Sequence, residues 1–161
     1  MKTGLLVIIL LILLVSCLPH EAAMPKRVTI PPPGIDALES VARIKIPPTA
    51  FDVQWDIESG GMDDLAAVSF VLPASDLDDF LKQAGYSGPL EPITALNLGQ
   101  FDDLGLEKKI PGWPTPAQWD TLVAAKVLKG RSQTEPDFVR KIIVDCSADN
   151  LCTIYLIHFE V

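Results

Sequence analysis

The sequence predicts an α+β domain: an antiparallel sheet of about four or five strands, one principal helix packed on it, and a C-terminal hairpin closed by a disulfide. Three observations predict it. Phe51, Val53, Trp55 and Ile57 alternate with Asp52, Gln54, Asp56 and Glu58, the period of a strand with one apolar and one wet face. Leu77, Phe80, Leu81 and Ala84 recur at helical spacing, with Asp76, Asp78, Asp79, Lys82 and Gln83 on the other side. Residues 138–146 and 151–161 are two β-rich runs separated by Ser147-Ala148-Asp149-Asn150, a turn composition.

Ahead of the domain, residues 5–15 form an unbroken apolar run of eleven behind a single positive side chain, Lys2. That is the layout of a signal peptide. A permanent span needs roughly 20 apolar residues to cross a hydrocarbon core, and this run is stopped by Ser16, Pro19, His20 and Glu21. At its end stand Leu14-Val15-Ser16-Cys17, and here the chain resembles the bacterial lipoproteins. The resemblance implies that the Cys17 thiol receives a diacylglyceryl group and that residues 1–16 are then cut away. It also implies a palmitate-type acyl anchor in the cell envelope, on the exported face of the plasma membrane or in the outer membrane.

Cleavage before Cys17 leaves 145 residues, one domain of ordinary size. Residues 17–34 carry Pro19, Pro25 and Pro31-Pro32-Pro33, an extended tether because proline fixes φ and removes donors. Residues 35–161 form the globular part. The mature chain has 12 Lys plus Arg against 21 Asp plus Glu, a net charge of −9. Such a surface repels phosphate backbones, which argues against nucleic acid and favours a cationic protein partner. With Cys17 taken by lipid, Cys146 and Cys152 remain, and export carries them to a compartment that permits a disulfide.

Within the domain, residues 35–46 read two ways in succession. Asp36 caps a short helix carrying Leu38, Val41 and Ala42, and residues 43–46 alternate like a strand before Pro47-Pro48. The period-two strand from Phe51 turns at Ser59-Gly60-Gly61 and returns over residues 65–72, apolar on both faces and therefore more central. Ser75 and Asp78 have capping-box spacing at the start of the principal helix, and Gly85 closes it. The acids Asp76, Asp78 and Asp79 suit the positive helix end and lack any calcium-loop pattern.

Residues 86–118 are irregular, broken by nine glycine or proline residues from Gly88-Pro89 to Pro116, and a loop this long is functional or pinned by its own side chains. Trp113 and Trp119 are its candidate contact surface and equally its candidate pins. Thr115-Pro116-Ala117-Gln118 has the form of a helix start. Periodicity leaves residues 123–128 open between helix and strand, and residues 130–136 read as turn or loop. In the last hairpin, setting Cys146 against Cys152 places Val144 opposite Ile154, Ile142 opposite Leu156 and Arg140 opposite His158. That face is almost wholly apolar and must look inward; the other, with Asp145, Thr153, Ile143, Tyr155, Lys141 and Ile157, suits partial exposure.

In its order of elements the mature part loosely resembles small domains of unassigned function on exported bacterial lipoproteins. That likeness carries no catalytic residues across. His20 lies in the tether, so histidine chemistry rests on His158, whose neighbour Arg140 disfavours the imidazolium. Nucleophile elbows, phosphate loops and metal-ligand spacings are absent from the sequence, and no metal or cofactor is expected. The leading expectation is a lipid-anchored, non-enzymatic binding or neutralising module at the cell envelope. One alternative is a small hydrolase of envelope polymers using Asp52, Asp56, Glu58 or Asp63-Asp64; another is an accessory subunit of an envelope assembly.

Overall fold

The computed structural model describes residues 34–58, 64–94, 101, 104–125 and 128–160. The expected signal peptide, Cys17, the expected tether up to residue 33 and the expected turn at Ser59-Gly60-Gly61 lie outside the described residues. Among the described residues, six strands form one antiparallel sheet: β1 (Phe51–Glu58), β2 (Leu65–Pro73), β3 (Glu91–Pro92), β4 (Leu128–Glu135), β5 (Phe138–Asp145) and β6 (Leu151–Glu160). Their spatial order is β1-β2-β6-β5-β4-β3. Three α-helices accompany them: α1 (Ile35–Ala42), α2 (Leu77–Gln83) and α3 (Pro116–Ala124). Among the described residues the fold is α+β as expected, with six strands in place of four or five and with α1 and α3, whose starts the sequence also marks, beside the principal helix α2.

Two antiparallel pairs stand where the sequence places hairpins, the second in the expected register. β1 pairs with β2, with Trp55 opposite Val68 and Ile57 opposite Ala66, and β2 lies inside the sheet between β1 and β6. In β5 and β6, Val144 faces Ile154, Ile142 faces Leu156 and Arg140 faces His158. Cys146 and Cys152 are disulfide-bonded beyond the last of these pairs, with Cα atoms 4.2 Å apart. The turn between them is held by the Ser147 amide donating to Asp145 Oδ1 at 2.9 Å, and Asn150 takes the left-handed conformation at φ 58°, which Asn tolerates better than most residues. Because the bridge closes only a short loop, reduction is expected to cost about 2 kcal/mol. Urea unfolding with and without reductant checks this; an unchanged midpoint would show that the turn and the ladder hold without the bridge.

Local chemistry explains the helices and corrects two expectations. α1 starts after Gly34 at φ 92°, so Gly34 and not Asp36 occupies the cap position, and it ends at Arg43 in the left-handed region at φ 52°. Residues 43–46 do not join the sheet. Glu39 instead draws this segment back over α1, accepting from the Ile46 amide at 2.8 Å and from Lys45 Nζ at 2.5 Å. Before α2, residues Ala74–Asp76 form a 3₁₀ turn, and the Ser75 hydroxyl donates to Asp76 Oδ1 at 2.8 Å. That geometry replaces the expected capping box. The end of α2 fits its sequence: Gly85, at φ 81°, donates to the Lys82 carbonyl and Tyr86 to that of Leu81, the paired bonds of a Schellman motif. α3 starts with the expected box, Pro116 in the first turn and the Thr115 amide donating to Gln118 Oε1 at 2.9 Å.

The sheet is covered on both faces. On one, α1 and α2 pack Leu38, Ala42, Phe80, Leu81 and Ala84 onto Val68, Phe70, Ile142, Val144, Cys152, Ile154 and Leu156. Phe70 and Phe80 meet edge to face at 5.2 Å, the arrangement that ring quadrupoles favour. On the other, Phe101, Leu106, Ile110, Trp113 and Trp119 cover Ala67, Ile143, Tyr155 and Ile157. The second face therefore looks into a core of its own, and the partial exposure expected of Ile143, Tyr155 and Ile157 is corrected by their burial. β4 adds to the sheet where the sequence read as loop. A Cβ at Gly130 would stand 2.5 Å from the Ile142 carbonyl oxygen and 2.6 Å from Ile93 Cδ1, so glycine lets Ile93 close over the strand.

Candidate functional site

Two groups of side chains concentrate the chemistry of the described residues. The first is built where α1, α2 and the β5–β6 ladder converge. Arg140 enters this region from β5 on the inward face and is almost fully buried. One of its Nη groups donates to the carbonyls of Ala42 at 2.9 Å and Arg43 at 3.0 Å; the other donates to the Ala84 carbonyl at 2.5 Å and to Gln133 Oε1 at 2.7 Å. Ala42 and Arg43 end α1, and Ala84 ends α2. One guanidinium thus satisfies carbonyls left without intrahelical partners at two helix ends, where the helix dipoles favour positive charge. Its planar fork is what allows one side chain to reach both.

Aromatic rings complete the group. Arg140 lies 5.4 Å from the ring centre of Tyr86 and 5.3 Å from that of Phe138, and Arg43 approaches the Phe138 ring at 5.1 Å. These are cation–π distances. His158 stacks on Phe138 at 5.1 Å with the ring planes 25° apart. Its burial, reinforced by Arg140 and Arg43, pushes its pKa down to about 4, so the ring is neutral near pH 7. Burial pushes the Tyr86 phenol up and lowers the Arg140 guanidinium. Toward solvent, Arg43 donates to Asp137 at 2.6 Å and to Glu160 at 3.3 Å.

The second group is the aromatic box under the long loop. Trp113 and Trp119 each meet Tyr155 edge to face, at 5.3 and 5.2 Å, and Phe101 stacks on Trp113 at 6.3 Å. Trp113 is 4% exposed and Trp119 1%. The reading of these two residues as a contact surface is corrected by that burial: they are pins, and their rings are unavailable to a partner while the domain is folded. Tyr155 below them is pushed up to about 12 by burial and by Asp145.

The remaining candidates disperse. Asp56 and Glu58 share Lys109, whose Nζ lies 3.5 Å from Asp56 Oδ2 and in contact with Glu58 Oε1. One ammonium engages both carboxylates in ion pairs and offsets half of their charge. Asp52 sits at a register irregularity of β1 with φ 52°. Asp63 lies outside the described residues. Asp76 accepts from the Thr49 hydroxyl at 2.7 Å, tying α2's start to the chain before β1. Among the described residues no three His, Cys, Asp or Glu side chains gather as metal ligands, and no helix is long and apolar enough to cross a membrane. The arginine clamp had one sequence signal, a cation on an otherwise apolar inward face. Its helix-end partners, distant in sequence, had none.

Comparison with known protein families, curated proteins and solved structures finds no match to this chain.

Proposed function

We propose that the chain is a lipid-anchored domain, held through Cys17 at the exported face of a bacterial membrane, that acts by contact with another macromolecule and not by catalysis. The observation that carries the proposal is the division of its three cysteines. Cys146 and Cys152 are bonded to each other, which suits an oxidising compartment. Cys17 is left over, at the end of an eleven-residue apolar run with Leu14-Val15-Ser16 before it. A contact role is supported by the engagement of Asp56, Glu58, Asp76 and His158 in structural interactions. With Trp113 and Trp119 buried, the contact surface falls to outward-facing residues of the same segment, Lys108, Pro111, Thr115 and Ala117. The acidic charge of the mature chain favours a cationic partner.

Intact mass of the protein purified from bacterial membranes tests the anchor: the expected species begins at Cys17 and carries diacylglyceryl. An unmodified N-terminus at another residue would overturn it. Affinity capture from detergent-solubilised envelope tests the contact role, and turnover of an envelope polymer that depends on Asp52, Asp56 or His158 would replace it with the hydrolase reading.

A further inference from the structure

His158 is fully buried near the end of β6, paired with Ala66 of β2 on one side and Arg140 of β5 on the other. Among the described residues, neither of its ring nitrogens has a hydrogen-bond partner, and the same holds for Arg140 Nε and the Tyr86 hydroxyl. The Phe138 ring on which the imidazole stacks is also the ring that both Arg43 and Arg140 approach. A neutral imidazole fits this place; an imidazolium would be a third cation around one ring, with no acceptor in reach.

We propose that His158 is an acid-sensitive latch, whose protonation loosens the Arg140 clamp and frees the C-terminal ends of α1 and α2 from the sheet. Strand pairing holds the backbones of both His158 and Arg140 on both sides, so the strain falls on the guanidinium tip of Arg140, which is held through single hydrogen bonds to the Ala42, Arg43 and Ala84 carbonyls and to Gln133. The charged groups acting on the imidazole are Arg140 from β5, Arg43 from the end of α1, Glu160 from β6 and Asp137 from the β4–β5 turn. The two carboxylates oppose the effect, but both hold Arg43 and stand at the solvent rim, the Asp137 side chain 59% and the Glu160 side chain 37% exposed, where water screens them. From the neighbouring elements, Tyr86 stays protonated and neutral, Ala66 is apolar, and Glu39 of α1 is engaged by Lys45 and the Ile46 amide.

The sign follows from the direction of the shift. A histidine whose folded pKa lies below its unfolded value of 6.5, here at about 4, contributes stability that is fully present above 6.5. That stability is lost as pH falls toward 4. The inference stands independently of the lipid-anchored reading.

The test is amide hydrogen exchange on the full chain at about pH 7 and about pH 5, corrected for intrinsic exchange, in the native protein and in His158→Gln. The amides of Ile44, Ala84, Gly85 and Tyr86, which close the two helix ends, are expected to lose roughly tenfold protection in the native protein and little in the variant. Unchanged protection, an equal loss in His158→Gln, or a loss spread evenly over β2 and β6 would each overturn the latch. If His158→Gln does not fold, NMR titration of the native imidazole decides instead. A midpoint near 6.5 overturns the proposal; a midpoint near 4 coinciding with the loss of helix-end protection supports it.

Discussion

Replacing Arg140 with Met is expected to destabilise the domain by about 3–5 kcal/mol, because several buried neutral acceptors lose their donor together. Methionine keeps much of the side chain's length and its apolar packing, so the loss isolates the guanidinium. The carbonyls of Ala42, Arg43 and Ala84 and the Gln133 amide oxygen would all lose the donor they share. Each buried acceptor left unpaired costs about 1–3 kcal/mol, and water entering beside Gln133 offsets part of the sum. Total stability of a domain this size is about 5–15 kcal/mol, so the variant stands near its unfolding threshold. Arg140→Lys is expected to recover less than half, because one ammonium cannot span two helix ends. Urea midpoints for the three proteins check the order, and a Met variant within about 1 kcal/mol of the native protein would show that the clamp is incidental.

Removing Arg140 also removes a positive neighbour of His158, so in any folded Arg140→Met protein the imidazole should titrate closer to its ordinary value. The pairing behind this coupling was legible in the sequence. A disulfide between Cys146 and Cys152 sets the register of the whole hairpin, and the register puts Arg140 against His158 with no further assumption. What Arg140 reaches for was not legible. Three of its four acceptors are main-chain carbonyls 56 to 98 positions away, and a carbonyl carries no residue-specific signal.

β4 escaped notice for a related reason. Lys129, Arg131, Ser132, Gln133 and Thr134 show neither period two nor an apolar face, since the strand exists because β5 has an open edge to be paired. Pattern reads side-chain burial, and a strand recruited by backbone hydrogen bonds at the margin of a sheet leaves little of it. The outer face of β5 and β6 misled in the opposite direction. Ile143, Tyr155 and Ile157 among Asp145, Thr153 and Lys141 resemble a half-wet surface, yet they are the floor on which the long loop folds. The clue lay in pairing that apolar content with two tryptophans in need of a place to be buried.

Trp119→Ala is the corresponding test on that second face, with an expected loss of about 3–5 kcal/mol, as for large aromatic side chains truncated in well-packed cores. Trp119 projects from α3 into the box of Phe101, Trp113 and Tyr155, and the neighbouring rings are too rigid to collapse into the space it leaves. Its indole Nε1 has no hydrogen-bond partner among the described residues. Trp119→Phe removes that donor along with part of the ring, so it should cost clearly less than alanine, about 1–2 kcal/mol. The same comparison separates a pin from a contact residue. A pin predicts large losses in urea midpoint and near-ultraviolet dichroism, with partner binding preserved in whatever fraction stays folded. If Trp119→Ala unfolds at the native urea concentration while losing a captured partner, the indole is reaching that partner and the box is not what holds the loop.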